Sequence, residues 1–291
     1  MHRVRRKKMA NSELSDILRA SGFRFNKALG QNFLFDGNLL DAIVSDAGVT
    51  AEDTVVEIGT GAGTLTARLA ARAKKVFSFE VDERLRPVLD ISLKGAENVE
   101  VVFRDVMKMK DDELREMIGG EFKVVANLPY YITTPLIMRF AESTLPVRSI
   151  TVMVQKEVAD RLTAEVGSAD YAAVTLAVKV FGAAAVTRIV DRHMFRPAPN
   201  VDSAVVRIDR VLGRLDGADE KLVRKLVRAA FAMRRKTLVN NLSASFAMPK
   251  QQAADLVTAC GFPADVRGER LSLDDFIRLS HIFSPQSAHL G

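Results

Sequence analysis

The chain has 291 residues, 48% of them hydrophobic and 27% charged, with a formal net charge of +6. This length favours two domains and the apolar share is ample for a core, while the best membrane-span candidate, 172–190, is interrupted by Lys179 and Arg188, so no membrane span is expected. One cysteine, Cys260, excludes an intrachain disulfide and a cysteine-rich metal site, and the four histidines have no ligand spacing; no metal is expected, and the compartment implied is a reducing cytoplasm.

Taken in order, the first residues are strongly basic (Arg3, Arg5, Arg6, Lys7, Lys8), but Asn11, Ser12, Glu13 and Asp16 follow where a signal peptide would be apolar. Residues 1–26 therefore read as a basic N-terminal tail. The first clear strand is TVVEI at 54–58, running into a glycine turn and a helical pattern, GTGAGTLTARLAARA. KVFSFEVD (75–82), VEVVFRD (99–105) and EFKVVANLP (121–129) repeat the theme, each followed by a helical or polar segment. Strand–helix alternation of this kind predicts an α/β domain with a parallel sheet covered by helices on both faces. ITVMV (150–154), AVTLAVKVF (173–181) and SAVVRID (203–209) are expected to extend that sheet. Beyond Asp209 the pattern becomes helical, as in GADEKLVRKLVRAAFAMRRKTLVNNL, and Gly213 and Gly217 mark a boundary near 208–216. The predicted organisation is a tail at 1–26, an α/β domain at 27–210 and a smaller all-helical domain at 211–291.

Four strand ends carry unusual residues. After TVVEI comes Gly59-Thr60-Gly61-Ala62-Gly63, a G-x-G-x-G spacing; glycines at a strand-to-helix junction permit a tight turn and a close ligand, and the dinucleotide spacing G-x-G-x-x-G is not met because Thr64 takes its last position. Glu80 ends the second strand, where a carboxylate can accept from both hydroxyls of a ribose. Asp105 ends the third and could accept from an adenine amino group. Asn127 ends the fourth. In a parallel sheet all of these share the carboxyl edge, where such folds bind ligands. Asn127 is followed by Leu128-Pro129-Tyr130-Tyr131: an amide oxygen, a carbonyl beside a rigid turn and an aromatic face, which together suit an aromatic amine held by its edge and its plane. Tyr131 reads equally well as a packing residue.

ANLPYYITTP (126–135) closely resembles the catalytic motif of the ribosomal RNA adenine dimethyltransferases, and the likeness extends along most of the chain in order. KALGQNFL (27–34), EIGTGAGTLT (57–66), FEVDERL (79–85), MVQKEVADRL (153–162), FRPAPNVDSAVV (195–206) and AFAMRRKTLVNNL (230–242) resemble successive blocks of that family, and the pairing of NLPYYITTP with RRKTL is more similar to its small-subunit (16S) members than to its large-subunit, antibiotic-resistance members. The resemblance implies a Rossmann-like S-adenosylmethionine-dependent methyltransferase domain with a smaller helical C-terminal domain. It also implies dimethylation of the amino groups of two adjacent adenosines in a 3'-terminal hairpin of 16S rRNA, within an immature small subunit, by a monomer. By position it implies cofactor contacts at Asn32, Leu34, Gly59, Gly61, Glu80, Asp105 and Asn127, and catalytic contacts at Asn127, Leu128, Pro129 and Tyr130, with Phe195 as the second face of a clamp on the target base. Arg224, Lys225, Arg228, Arg234, Arg235 and Lys236, in the basic segment 207–250, are the expected RNA contacts. Two positions depart from the family: Thr60 where proline is common, and Ala172 where a glycine often follows Tyr171. Three rival readings remain: an RNA-binding assembly factor, a large-subunit adenine methyltransferase and, weaker still because such enzymes usually carry an acidic or Asn-Pro-Pro-Tyr version of the motif, a DNA adenine methyltransferase.

Overall fold

The computed structural model describes residues 33–34, 36–196 and 198–287; the basic tail 1–26 and Asn32 lie outside the described residues. The chain forms two compact units. One comprises the described residues up to Lys156 together with Val186–Arg207, and the other comprises Glu157–Ala185 together with the chain from Ile208 onward.

The first unit begins with β1 (Phe33–Leu34) and α1 (Gly37–Asp46), whose first turn is capped by Asp36 accepting from the Leu39 N–H at 2.8 Å. Then follow β2 (Thr54–Ile58), α2 (Thr64–Ala70), β3 (Lys75–Glu80), α3 (Arg86–Ser92), β4 (Val99–Phe103), α4 (Asp111–Ile118), β5 (Phe122–Asn127), α5 (Tyr130–Ala141) and β6 (Val147–Gln155). After α6 (Lys156–Leu162) and α7 (Ala173–Phe181) come β7 (Gly182–Val190), β8 (Phe195–Arg196) and β9 (Ser203–Arg210). Among the described residues, seven strands make one sheet in the order β4-β3-β2-β5-β6-β9-β7, and β1 pairs separately and antiparallel with β8.

The pairings β2–β3, β3–β4, β2–β5 and β5–β6 are all parallel. Their register aligns Ile58 with Phe79 and Ala126, Glu80 with Phe103, and Asn127 with Met153. The residues that follow the apolar runs therefore emerge along one edge. β2 is central: the chain lays β3 on one side of it and β5 on the other, so the crevice at its carboxyl end is the topological switch point where open α/β sheets bind ligands. The apolar runs are nearly continuous because both faces are covered. Val55, Val56, Val76, Val124 and Val125 have no exposed surface.

The second unit corrects two expectations. AVTLAVKVF, expected as a strand, is α7: Leu176 and Val180 pack with Val223, Leu226 and Val227, a helical face meeting helices. An unbroken apolar run fits a buried strand and a buried helix equally well, and here the neighbours decide. The segment 157–185, placed by its sequence in the sheet domain, clusters with the C-terminal helices instead. The reason is Tyr171, whose ring is buried in their core and whose hydroxyl donates to the Leu271 carbonyl at 2.8 Å. The long helical pattern after Gly217 is interrupted. α8 (Glu220–Ala230) and α9 (Leu238–Ser245) are separated by an exposed turn carrying Arg234, Arg235 and Lys236, and Asn241 pins that turn by donating to the carbonyls of Ala230 and Met233. α10 (Lys250–Ala259) and α11 (Leu273–Ser287) complete the unit.

At the sheet's opposite edge, Lys123 at the start of β5 donates from Nζ to the Gly48 carbonyl at 2.6 Å and to Asp53 Oδ2 at 2.9 Å. Asp53 also accepts from the Thr50 amide and hydroxyl. Burial alone would raise the Asp53 carboxyl; the bonds from Lys123 and Thr50 outweigh it and hold the group below its usual range. The stability it contributes is thus present above the unfolded value of 3.8 and is lost as the pH falls through the folded one. Lys123→Ala leaves buried Asp53 with only the longer ion pair to the half-exposed Arg148, at 3.9 Å, and urea unfolding at neutral pH is expected to show a loss of about 3 kcal/mol; a smaller loss is expected for the double variant Lys123→Met with Asp53→Asn.

Candidate active site

Beyond Ile58 the chain turns sharply. The amides of Gly59 and Thr60 both donate to the Phe79 carbonyl, at 2.8 and 3.2 Å, closing the turn against β3. Gly59 has φ 82°, and a Cβ there would lie 2.6 Å from Leu128 Cδ2, so the glycine turn and the residue after Asn127 are in direct contact. Gly61 donates its N–H to Glu80 Oε2 at 2.8 Å, while Glu80 Oε1 accepts from Val81 and Asp82 at 2.8 and 2.9 Å. Three of the four lone-pair directions of this buried carboxylate are thereby used by backbone, and one remains on Oε2.

A cavity opens above the turn, lined by Leu34, Gly59, Thr60, Gly61, Glu80, Asp105, Asn127, Leu128 and Pro129 among others. Asp105 caps the short helical turn Val106–Lys108 by accepting from the Met107 N–H at 3.0 Å. Asn127 is half-buried, and among the described residues its side-chain amide has no hydrogen-bond partner. The carbonyls that follow differ. Pro129 O accepts from the Ile132 N–H and the Thr133 hydroxyl, both at 3.2 Å, and so belongs to the first turn of α5; Leu128 O accepts no bond among the described residues. An unengaged amide oxygen and an unengaged carbonyl on adjacent residues make a two-point acceptor for an amine.

Eight of the residues expected from sequence therefore come together: Leu34, Gly59, Gly61, Glu80, Asp105, Asn127, Leu128 and Pro129. Two do not line the cavity. The Tyr130 ring is half-buried, with its hydroxyl 2.7 Å from Ser203 Oγ, and burial raises its pKa against the opposing effect of that bond. Phe195, expected as a clamp face, is only 3% exposed and packs in the core with Leu39, Val205 and Met153; its backbone pairs with Leu34, so it holds the strand that lines the cavity. Tyr131, which had no assigned chemistry, lines the cavity and is 66% exposed. Arg104 and Met107 also line it without having been singled out, although their place beside Asp105 at a strand end was a usable signal.

The family model for ribosomal RNA adenine dimethylases matches residues 22–283. The chain belongs to this family. A ribosomal RNA small subunit methyltransferase A of Geobacillus thermodenitrificans is 45% identical over 280 residues, covering 93% of this chain and 94% of the relative. The protein of the same name in Clostridioides difficile is 41% identical over 278 residues, with 94% and 96% covered. Among solved structures, a dimethyladenosine transferase from Plasmodium falciparum superposes with a TM-score of 0.75 at 26% identity, covering 88% of this chain and 98% of that one. The 23S rRNA methyltransferase ErmE gives 0.66 at 25% identity, with 87% and 99% covered. The chain thus shares the Rossmann-like methyltransferase fold of these two structures.

One further group in this adenine dimethylase has an altered acidity. Glu57 of β2 is completely buried, and burial is the main reason its carboxyl is pushed up to about 8; the bond from Ser78 acts against this and the neighbouring Glu80 with it. Between 4.5 and about 8 the folded chain holds a proton that the unfolded chain has released, so this group's contribution is complete below 4.5 and is lost as the pH rises through about 8. Glu57→Gln removes that slope: its stability relative to the parent is expected to improve by on the order of 3 kcal/mol between pH 5 and pH 8.5, read from urea unfolding. Gly59→Ala combines a left-handed φ with a methyl group pressed on Leu128. A destabilisation of about 2 kcal/mol and loss of ligand binding are expected, measured by thermal unfolding and calorimetry.

Proposed function

We propose that this chain dimethylates the amino groups of two adjacent adenosines in a 3'-terminal hairpin of 16S rRNA, using S-adenosylmethionine. Its family and its relatives' names support the reaction class, and the observation that carries the residue assignment is the unengaged Asn127 amide beside the unengaged Leu128 carbonyl at the mouth of the cavity. The residues present fit the donor: the Gly59 turn leaves room that a Cβ would fill, Glu80 retains one acceptor direction for a ribose hydroxyl, and Asp105 can accept from the adenine amino group. Asn32, which lies outside the described residues, is proposed as a further contact to it. S-adenosylmethionine supplies a methyl group already activated on a sulfonium, so what the protein must provide is chiefly positioning.

The amino group of adenine is a weak nucleophile because its lone pair is delocalised into the ring. Asn127 Oδ1 and the Leu128 carbonyl accept its two protons, favour a pyramidal nitrogen and aim the lone pair at the cavity. Pro129 contributes rigidity, since its own carbonyl is engaged in α5. Tyr130, its hydroxyl anchored to Ser203, is the proposed plate for the base, and Phe195 steadies the site through Leu34. The proton released on methylation leaves to solvent. After the first transfer the nitrogen keeps one proton and so one of its two bonds, and the monomethylated base must be taken up again for the second.

The proposed setting is an immature small ribosomal subunit in the cytoplasm, with the enzyme acting as a monomer. In the second unit, Arg234, Arg235 and Lys236 on the α8–α9 turn, with exposed Lys225 and Arg228, are the proposed RNA contacts. Arg224 is withdrawn from that set. It is 6% exposed, with Nε donating to Glu220 at 2.8 Å and Nη1 to the Ala177 carbonyl at 3.4 Å. Asn127→Ala is expected to retain binding to small-subunit particles and to lower methyl transfer by about 100-fold or more, measured by transfer of labelled methyl groups and mapping of dimethyladenosine. Full activity in that variant would refute the acceptor role, and particles lacking dimethyladenosine after treatment with the parent enzyme would refute the substrate.

A further inference from the structure

A buried polar chain that no step of the proposed reaction uses lies beneath the glycine turn. Glu57 and Ser78 stand opposite each other in the β2–β3 register, and neither has exposed surface. The Ser78 hydroxyl donates to Glu57 Oε2 at 2.6 Å, and Ser78 Oγ lies 2.7 Å from the hydroxyl of Thr60. With the Ser78 proton committed to Glu57, Thr60 is the donor of the second bond. Thr60 sits between Gly59 and Gly61 in the turn itself and lines the cavity, yet is 4% exposed. Consecutive turn residues are therefore tied to different carboxyl groups, Thr60 to Glu57 through Ser78 and Gly61 directly to Glu80.

We propose that Glu57 is a positioning residue for the methyl donor, setting the shape of the glycine turn through Ser78 and Thr60. This rests on the reading that the cavity takes that donor. Burying three linked polar groups is unfavourable unless their bonds specify something, and the group of this chain that lines the cavity is Thr60. At this sequence position a proline would fix φ by its ring, whereas here a side-chain hydrogen bond ties the turn down from below. Around Glu57, β3 presents Ser78 and the carboxylate of Glu80, α2 presents the hydroxyl of Thr66, and β5 presents Val125 in register; Glu80 is thus the charged group acting on it. Neutral Glu57 leaves a single negative charge at the turn. Ionising Glu57 sets a second negative charge beside Glu80 and changes the bonds that reach Thr60 through Ser78, so the turn described here belongs to the neutral form, and affinity falls as the pH rises through the range in which Glu57 ionises.

The test is calorimetric binding of S-adenosylhomocysteine, which lacks the sulfonium charge, to the full-length chain from pH 6.5 to 9.5. For the parent, Kd is expected to rise by about fivefold or more across that range beyond the rise shown by Glu57→Gln, which shares any titration of the ligand itself. Thr60→Val, which keeps the shape and removes the hydroxyl, is expected to weaken binding by about fivefold at pH 7 with its melting temperature little changed. Parallel pH profiles for the parent and Glu57→Gln, or parent-like binding by Thr60→Val, would overturn the proposal; the second result remains decisive if Glu57→Gln does not fold. A parent chain that binds no S-adenosylhomocysteine at any pH would overturn the assignment of the cavity itself, and with it this role for Glu57.

Discussion

The bond from the Gly61 N–H to Glu80 Oε2 joins the ends of two adjacent parallel strands, and the geometry of the cavity depends on it. Parallel pairing brings β2 and β3 to the same edge but does not by itself fix what happens beyond Ile58 and Glu80. The carboxylate does so from both oxygens, holding the glycine turn with one and its own strand's exit, at Val81 and Asp82, with the other. Charge-assisted bonds of this kind are about twice as strong as neutral ones, and in a half-enclosed site they also keep the backbone amides from turning to water. On the far side of β2, the turn meets Leu128 directly through Gly59. The glycine turn and the Asn127-Leu128 pair, distant in sequence, thus share one contact surface.

The strand ends were legible because each apolar run stops at a residue that a buried strand does not need. Glu80, Asp105 and Asn127 stand out against Phe79, Phe103 and Ala126, and parallel pairing converts that pattern into proximity. Less legible was the choice between Tyr130 and Tyr131. They occupy consecutive positions in the first turn of α5, about 100° apart around its axis, so which ring meets the cavity depends on where that helix starts rather than on composition. The segment 173–181 was misread for a related reason: nine largely apolar residues satisfy both periods, and the arbiter, a core built around Tyr171 and the C-terminal helices, lies up to a hundred residues away. Arg224 looked like its basic neighbours, but its position on the face of α8 shared with Val223 and Val227 places it inside. The Glu57–Ser78–Thr60 chain was invisible because it requires the β2–β3 register.

Two carboxyl groups of the same type, on adjacent strands and two positions apart in register, sit in opposite surroundings. Glu80 is surrounded by backbone donors, while Glu57 accepts from the Ser78 hydroxyl at Oε2, has the Thr66 hydroxyl nearby, and among the described residues finds no partner at bonding distance for Oε1. Donors stabilise negative charge, and apolar burial resists it. The sheet edge therefore carries a carboxylate with one acceptor direction left open and, beneath it, a carboxyl that burial pushes up to about 8.

The second unit is assembled from two stretches of chain, with the whole run from Val186 to Arg207 given back to the first unit between them. Its core needs residues from both: Leu176 and Val180 from the earlier stretch, Leu226 and Phe276 from the later one. A cut made after β9 would therefore not release an autonomous helical module. It would strip the cover from Tyr171 and α7 and leave an apolar surface on the remaining fragment. During synthesis, the same arrangement means that residues 157–185 must wait, partly unburied, until the last helices leave the ribosome. A chimaera that exchanges the second unit between relatives would have to move both stretches together.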